Sequence, residues 1–270
     1  MTKNDVSHFL RSLGLLEVVD KIRFFYKKIT SSWKNKAFKK KYPDIKLPPA
    51  YLVYESYLLN YHDYYFDGLE TAKWLLSYFE KYIPLKGVAI LDWGCGPGRI
   101  IRHMPGLTNH EADYFATDYN QRSIEWCKQN LKDISFNVNT ISPPLTYPDN
   151  KFDIIYGLSI FTHLSREMHH SWYKELLRTL KPGGILFITT HGDAFTVKLN
   201  AAESDKYKKG EFVERGNVRE GHRTFTAFQP EQFMQKLFSG AEILDHVKQL
   251  PAHDPSPVQD VWIIRKKNTN

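Results

Sequence analysis

Cysteine is scarce in this chain, which has two cysteines among 270 residues. Cys95 and Cys127 make neither a disulfide framework nor a zinc site, so a reducing compartment is predicted and the cytoplasm is the expected location. The chain also lacks any run of about 18 apolar residues, which argues against a membrane-spanning segment. Charged side chains interrupt the residues before Lys21, so no signal-peptide core is predicted.

Acidic residues are missing from one stretch near the N-terminus. Nine bases and no acid lie between Lys21 and Lys41, whereas the whole chain carries a net charge of +7. The other residues therefore sum to about −2, and the basic character belongs to this arm. Over the whole chain, 42% hydrophobic residues and 14% aromatic residues are enough for a hydrophobic core. The length of 270 residues corresponds to one α/β domain and a modest additional segment.

The arm also has apolar residues at three- and four-residue steps, which predicts an amphipathic helix with a cationic second half. The preferred interpretation is a cap helix that packs on the domain with its lysines in solvent. Contact of residues 1–41 with an anionic membrane surface at the inner face, or with glycolipid, is the second, and nucleic acid is the least favoured. The apolar positions are Val6, Phe9, Leu10, Leu13, Leu16, Val19, Ile22, Phe25 and Ile29.

Tyrosine is concentrated in the segment 43–85, which follows this arm. Aromatic rings with polar tips either form a wall that stacks on sugars or covers a ligand, or pack as the core of a cap. Core packing is the preferred interpretation. A helix is expected from Thr71 to Tyr82. The aromatic residues are Tyr51, Tyr54, Tyr57, Tyr61, Tyr64, Tyr65 and Phe66.

A glycine-rich turn follows the apolar segment Val88–Leu91 and leads into an apolar helix. Glycines at 94, 96 and 98 permit a tight turn and a close approach to a ligand. The spacing is Gly-x-Gly-x-Gly, whereas the dinucleotide fingerprint is Gly-x-Gly-x-x-Gly. Asp92 would repel the pyrophosphate of a dinucleotide, yet it suits an ammonium group or ordered water.

A second predicted strand, Tyr114–Asp118, ends in a carboxylate. A carboxylate at this place can accept both hydroxyls of a ribose. The two motifs resemble those of the class I S-adenosylmethionine-dependent methyltransferases. Residues 152–157 (FDIIYG), 159–163 (SIFTH) and 180–189 (LKPGGILFIT) resemble the fourth strand, its end-loop and the corner into the fifth strand of that family, so that the resemblance covers residues 85–190.

The resemblance implies an α/β fold with a Rossmann-like seven-stranded sheet, mostly parallel with an antiparallel last strand, with helices on both faces and an N-terminal helical cap. Residues 242–249 and 258–266 are expected to pair as antiparallel strands, the second between its neighbours. Residues 1–85 would form the arm and cap, and 86–270 the methyltransferase domain. Residues 193–229 would form an insertion that serves as a substrate lid.

The implied cofactor is S-adenosyl-L-methionine. Asp118 would bind its ribose, Asn139 its adenine amino group, and Ile141 its adenine ring. The loop Ser142–Leu145 has two prolines like those that hold planar amines in nucleic-acid and glutamine N-methyltransferases, but it precedes the fourth strand, so planar amines are not supported as acceptors. The implied cofactor residues are Asp92, Gly94, Cys95, Gly96, Gly98, Arg99, Asp118, Tyr119, Asn139, Thr140, Ile141, Leu158 and Ser159.

A hydroxyl acceptor has to lose its proton during methyl transfer, and a base of near-neutral pKa is the natural device. His163, at the end of the fourth strand, and His191, directly after the fifth, are the two candidates.

Ser165 is expected to cap the helix Arg166–Leu180, and Gly183 or Gly184 to end it. His169, His170 and Trp172 on that helix lack a carboxylate at ligand spacing, so they are assigned to the helix surface and no metal site is predicted.

The expected function is O-methylation of a sugar or glycan intermediate, because the motif series resembles methyltransferases associated with bacterial surface-polysaccharide genes. This expectation rests on analogy. Methylation of a small metabolite or natural product is the alternative, and RNA methylation comes third because of the basic arm. A non-catalytic scaffold that binds S-adenosylmethionine is a further possibility. The sequence does not fix the oligomeric state.

Overall fold

The computed structural model describes residues 16–57, 59–216, 218–248 and 258–268. The chain divides into two compact units, one with the described residues up to Val138 and one from Asn139 onward. Four apolar positions of the predicted arm helix, Val6, Phe9, Leu10 and Leu13, lie outside the described residues. The assignment of residues 1–85, 86–270 and 193–229 to separate functional regions stays a prediction.

The first unit begins with four helices and continues with three parallel strands. Leu91 in the first strand pairs with Phe115 in the second, which pairs with Ser135 in the third. The first strand is buried along its whole length, as expected of a strand inside a parallel sheet. The elements are α1 Leu16–Thr30, α2 Ser32–Lys41, α3 Ala50–Ser56, α4 Tyr61–Phe79, β1 Ala89–Trp93, a 3₁₀ helix Ile101–His103, α5 Met104–Leu107, β2 Asp113–Asp118, α6 Gln121–Asn130 and β3 Ile134–Val138.

The second unit contains the remaining strands. Its elements are β4 Phe152–Gly157, a 3₁₀ helix Phe161–His163, α7 Arg166–Thr179, β5 Leu180–Thr190, a 3₁₀ helix Asp193–Lys198, α8 Ala201–Lys208, β6 Val213–Arg215, β7 Thr226–Phe228, α9 Glu231–Leu237, β8 Glu242–Val247 and β9 Asp260–Arg265. β4 and β5 are parallel. β9 lies antiparallel between β5 and β8, as predicted for the C-terminal strands.

The strand order of the large sheet is β3-β2-β1-β4-β5-β9-β8. This order confirms the predicted seven-stranded, mostly parallel sheet in which the last strand of the chain is antiparallel. Short β6 and β7 form a separate antiparallel pair. Among the described helices, none combines the length and the apolar character needed to cross a membrane.

Three helices differ from their predicted bounds. The helix expected from Thr71 begins at Tyr61, because the side chain of Asn60 accepts hydrogen bonds from the first amides and so caps it. The helix after the glycine turn is only a 3₁₀ turn followed by one α-turn with Pro105 near its start. α7 is capped by Ser165 as predicted, but it ends at Thr179.

Neither Gly183 nor Gly184 ends α7, contrary to the prediction. Leu180 already pairs with Phe152 as part of β5, so the chain leaves the helix directly into the strand. Gly183 does have a positive φ of 78°, but it lies within β5. The assignment of the α7 histidines to the surface is also wrong in part, because His169 is 0% and Trp172 1% exposed.

The tyrosine-rich segment packs as a core. Tyr54, Tyr61 and Tyr64 are buried in one cluster with Phe38 and Val53, which agrees with the preferred interpretation of this segment as a cap. The predicted insertion 193–229 also contains a buried cluster of its own. Its buried cluster joins elements of the 3₁₀ helix, α8, β6 and β7, and consists of Phe195, Tyr207, Val213 and Phe228.

Candidate functional site

The glycine turn after β1 has the backbone conformation that its glycines were expected to allow. Gly94, Gly96 and Gly98 have φ values of 83°, 52° and 72°, a region in which residues with a Cβ are strained. A Cβ on Gly98 would also lie 2.7 Å from the Leu131 side chain. The turn therefore needs these glycines for its shape and, at Gly98, for its packing.

The amides of this turn are occupied by oxygens of the same unit. Those of Gly94 and Cys95 donate to the carbonyl oxygen of Thr117, at 2.8 and 3.0 Å. The amide of Gly96 donates to Oδ2 of Asp118 at 2.8 Å, and that of Gly98 to the Cys95 carbonyl at 3.0 Å. A pyrophosphate is held by bare amides, so these four amides do not form such a cradle.

Asp118 closes the turn from the end of β2. Its second oxygen, Oδ1, accepts from the amide of Asn120 at 2.7 Å. Burial raises the pKa of this carboxyl group, while the two amide bonds oppose the rise. Each carboxylate oxygen has a further lone pair, so the group remains able to accept from ribose hydroxyls. Asp92 on the adjacent strand is also buried, and the turn is therefore flanked by two buried acids.

Cap residues contact the glycine turn within the same unit. The hydroxyl of Tyr64 donates to the Pro97 carbonyl at 3.0 Å. The guanidinium of Arg99, an expected cofactor residue, lies 4.4 Å from the centre of the Tyr57 ring, and burial lowers its pKa. Tyr119, another expected cofactor residue, is half-buried beside Asp118.

Two residues near this turn were not among the expected cofactor residues. Asn120 caps α6 through its side chain, and an asparagine directly after a strand-end acid is a cap signal that could have indicated it. Glu55 on α3 accepts from Asn120 Nδ2 at 3.2 Å, and its charge raises the pKa of Asp118. No spacing in the sequence points to Glu55, because its position depends on how the cap packs.

The expected adenine-binding residues follow β3 in the chain. The Asn139 side chain donates to the Thr140 carbonyl at 2.6 Å. The carbonyl of Ile141 accepts from the Trp172 ring nitrogen at 3.0 Å, and the Leu145 amide donates to Glu175 at 2.7 Å. This segment, which includes Pro143 and Pro144, is thus held against α7.

Leu158 and Ser159, both expected at the cofactor, directly follow β4, and Leu158 is half-buried. Ser159 has a φ of 60°, an uncommon conformation for a residue with a side chain. Its amide donates to Thr189 Oγ1 at 2.8 Å, and its hydroxyl contacts Gln259 at 2.9 Å. Gln259 also accepts from Thr189 at 2.6 Å. The sequence analysis missed Gln259, since it comes 100 residues later in the chain.

The two candidate bases are held in the same way. Nδ1 of His163 lies 2.7 Å from the Phe225 carbonyl oxygen, and Nδ1 of His191 lies 2.9 Å from that of Ala227. A carbonyl oxygen only accepts, so each Nδ1 carries the proton and each Nε2 keeps its lone pair. Burial lowers the pKa of His163, and it lowers that of His191 to about 3. Both rings are therefore neutral at pH 7.

Gln229 links His191 to α7, and no sequence signal indicated it. Its Oε1 accepts from the His191 amide at 2.9 Å, and its Nε2 donates to the Phe161 carbonyl at 3.1 Å. The same Nε2 lies 3.1 Å from Nε2 of His169, whose Nδ1 is 2.7 Å from the Ser165 carbonyl. Burial lowers the pKa of His169 to about 3. Within the described ranges, no group of three or more metal-ligating side chains comes together.

Residues 90–184 match a family model described as a methyltransferase domain. These residues are a methyltransferase domain. The glycine turn lies within these residues, as the sequence motifs predicted. The seven-stranded sheet continues beyond them and has the fold of solved S-adenosylmethionine-dependent methyltransferases, whose cofactor is S-adenosylmethionine.

Two curated relatives of this chain are named O-methyltransferases. O-methyltransferase 3 of Dictyostelium discoideum is 24% identical over 58% of this chain and 36% of its own length. The ubiquinone biosynthesis O-methyltransferase of Coxiella burnetii is 29% identical over 49% of this chain and 56% of its own length. The chain thus spans about a third to just over half of these relatives. A crystal structure of an S-adenosylmethionine-dependent methyltransferase from Methanosarcina mazei shares the fold, with a TM-score of 0.53, 20% identity, and coverage of 70% of this chain and 97% of that one.

Proposed function

We propose that this protein is a methyltransferase that transfers the methyl group of S-adenosylmethionine to a hydroxyl oxygen of a sugar or glycan intermediate. The observation that carries the cofactor assignment is the glycine turn of the methyltransferase domain. Four of its amides are bonded to oxygens of the same unit, and Asp92 and Asp118 beside it are buried.

This combination favours a cationic nucleoside over a dinucleotide. A pyrophosphate would find no unoccupied amide at these four positions, and two buried acids would repel it. An ammonium group and a sulfonium group are attracted by the same acids. Asp118 adds acceptors for a ribose, so the site suits a ligand with a ribose and a positive charge.

S-adenosylmethionine supplies an electrophilic methyl group when bound. The acceptor hydroxyl oxygen forms the new bond to the methyl carbon as the sulfur–carbon bond breaks, and the hydroxyl proton has to pass to a base. Most of the rate in such a displacement comes from positioning. The base contributes about 10² to 10⁴-fold in typical cases.

We assign the base to His163, with His191 as the second candidate. Both keep Nε2 as an acceptor, but His191 is the more buried and stacks on Phe195 with ring centres 3.9 Å apart. A pKa of about 3 makes His191 a weak proton acceptor at neutral pH. His163 is half-buried. The Phe225 carbonyl opposes the lowering of its pKa by burial, as the Ala227 carbonyl does for His191.

The acceptor is argued from two sources. The names of the relatives support oxygen as the acceptor atom. The motif series, which resembles methyltransferases associated with bacterial surface-polysaccharide genes, supports a sugar or glycan. The alternative, a small metabolite, is supported by the name of the Coxiella relative, a ubiquinone biosynthesis O-methyltransferase. Buried, free Cys95 and Cys127 support the proposal of a reducing, cytoplasmic compartment.

The test separates cofactor binding from acceptor choice. The cofactor is identified by calorimetry with S-adenosylmethionine, its demethylated product and NAD. The acceptor is identified by incubation with methyl-labelled S-adenosylmethionine and, in turn, sugar nucleotides, oligosaccharides, phenols and transfer RNA. Binding of S-adenosylmethionine and labelling of a sugar hydroxyl support the proposal. Labelling of a phenol only supports the small-metabolite alternative, and labelling of transfer RNA supports the RNA alternative. A preference for NAD overturns the cofactor assignment, and cofactor binding without any labelled acceptor favours a scaffold.

A further inference from the structure

Helix α1 exposes the apolar side chains that its sequence pattern led us to expect in a core. Ile22, Phe25 and Ile29 are 64%, 60% and 76% exposed, and Trp33 at the start of α2 is 78% exposed. At about 100° per residue, the exposed positions form one stripe along the helix. The stripe consists of Val18, Val19, Ile22, Phe25, Tyr26 and Ile29, with Trp33 beyond the end of α1.

The opposite side of α1 is the side that holds it to the cap. The Phe24 ring packs edge-on against Tyr51, with ring centres 5.2 Å apart, and lies 5.3 Å from Tyr54. The Tyr54 hydroxyl donates to the Asp20 carboxylate at 3.0 Å. Phe24 lies about 200° around the helix from the middle of the stripe. The cap therefore fixes α1 in an orientation in which the stripe faces outward.

Exposed positive charge surrounds this stripe. All nine bases between Lys21 and Lys41 are exposed, and none takes part in an ion pair within the described ranges. Lys21 and Lys28 flank the stripe on one side and Arg23 on the other. In α2, buried Asn35 and Phe38 form the inner side, and Lys36 and Lys40 lie exposed on the other side.

We propose that α1 and α2 form a docking surface for an anionic lipid bilayer. An outward apolar stripe flanked by lysines is the arrangement with which an interfacial helix inserts its apolar side between headgroups while its cations remain at the phosphates. A nucleic acid would satisfy the lysines but leave Ile22, Phe25 and Ile29 in water. Charge complementarity and the stripe together therefore select a lipid surface.

The test uses the full chain and vesicles of phosphatidylcholine, with and without phosphatidylglycerol. The wild type is expected to sediment with the anionic vesicles at low salt and to be released as salt shortens the Debye length below ~10 Å. The triple variant Ile22→Ser/Phe25→Ser/Ile29→Ser removes apolar insertion, and Lys36→Gln/Lys40→Gln removes charge. Each is expected to weaken the partition coefficient on the order of tenfold or more.

Matched controls come from the second unit. Val197 is 74% exposed, and Lys206 and Lys208 are exposed on α8. Val197→Ser and Lys206→Gln/Lys208→Gln are expected to sediment like the wild type. Trp33 supplies a second readout, because its emission is expected to shift to shorter wavelength on anionic vesicles and Trp33→Phe is expected to remove that shift.

Three results would overturn the proposal. The first is a wild type that ignores anionic vesicles at low salt. The second is a triple serine variant that binds vesicles as the wild type does, because the stripe would then contribute nothing to binding. If this variant also binds duplex RNA with the same affinity as vesicles, the surface is a general polyanion site. The third is a wild-type oligomer that the triple variant converts to monomers without any vesicle binding, which would assign the stripe to a second copy of the chain. Cofactor affinity, measured in parallel, tests the proposed function independently.

Discussion

His163 and His191 are bonded through Nδ1 to carbonyl oxygens only two residues apart, those of Phe225 and Ala227. Both carbonyls belong to one extended segment that leads into and through β7. The segment selects the same tautomer in both rings. It also lies within residues 193–229, the predicted lid insertion, so that these residues hold the rings of the two candidate bases.

Replacement of Asp118 tests the cofactor assignment. Asp118→Ala removes a charged acceptor from the proposed ribose site and releases the amides of Gly96 and Asn120. The affinity for S-adenosylmethionine is expected to fall by about 1.5 to 3 kcal/mol in calorimetry. Asp113→Ala, an exposed change on the same strand, is the control and is expected to bind normally. Unchanged affinity in Asp118→Ala would remove Asp118 from the cofactor site.

The pH dependence of turnover tests the base. His163→Ala is expected to lower kcat by about 10² to 10⁴-fold with little change in cofactor affinity. The base acts as a neutral ring, so wild-type turnover should fall as the pH drops through the pKa of His163. Burial lowers that pKa, which places the fall below the ordinary value of ~6.5. The variant should lack this acid limb.

His191→Ala is the companion measurement. If it removes the limb and His163→Ala does not, the roles of the two histidines are exchanged. If both variants keep near wild-type rates between about pH 6 and 8, positioning alone carries the reaction or the base lies in the cap. Glu55, His62 and Asp63 are then the residues to replace. His62 and Asp63 form an exposed pair 3.2 Å apart, so Glu55 is the first of them.

The sequence was most informative where a residue type is forced by backbone geometry or by strand order. The three glycines of the turn, Asp118 at the end of β2 and Ser165 at the start of α7 were all placed correctly, because positive φ, a strand-end carboxylate and a helix cap are local requirements. The order of the C-terminal strands followed from the family resemblance rather than from local pattern.

Residues that act through tertiary contacts could not be predicted. Nothing in the sequence distinguishes Gln229 and Gln259 from other glutamines. Only the fold brings them to His191 and Ser159, which lie 38 and 100 residues earlier in the chain. The exposure of α1 is a similar case. Its spacing indicates an amphipathic helix, but only the contact of Phe24 with Tyr51 and Tyr54 shows which side faces the protein.

Acid is expected to destabilise the fold through His169. The pKa of His169 is about 3 in the folded protein and ~6.5 in the unfolded chain. As the pH falls below about 6.5, the unfolded chain therefore binds a proton that the folded protein does not. The free energy of unfolding decreases with each step in pH until the folded ring is protonated as well. Between pH 7 and pH 5 the loss from this group is about 2 kcal/mol. Urea unfolding at both pH values should show a smaller loss in His169→Gln than in the wild type. His170→Gln, an exposed neighbour, should behave like the wild type, and an equal loss in all three proteins would contradict the role of His169.

Gly68 is expected to control how closely α4 approaches the glycine turn. Alanine favours a helix over glycine by up to about 1 kcal/mol, so Gly68→Ala would stabilise α4 if space allowed. A Cβ at this position, however, would lie far inside contact distance of the Arg99 carbonyl oxygen, and backbone does not move aside as a flexible side chain does. We expect a net loss of about 1 to 3 kcal/mol in unfolding free energy and weaker cofactor binding, since Arg99 directly follows Gly98.

The matched control is Gly106→Ala in α5, where a Cβ meets nothing within 4 Å. If Gly68→Ala is as stable as Gly106→Ala and binds the cofactor as well, the close packing of α4 on the turn is not what holds the turn in shape.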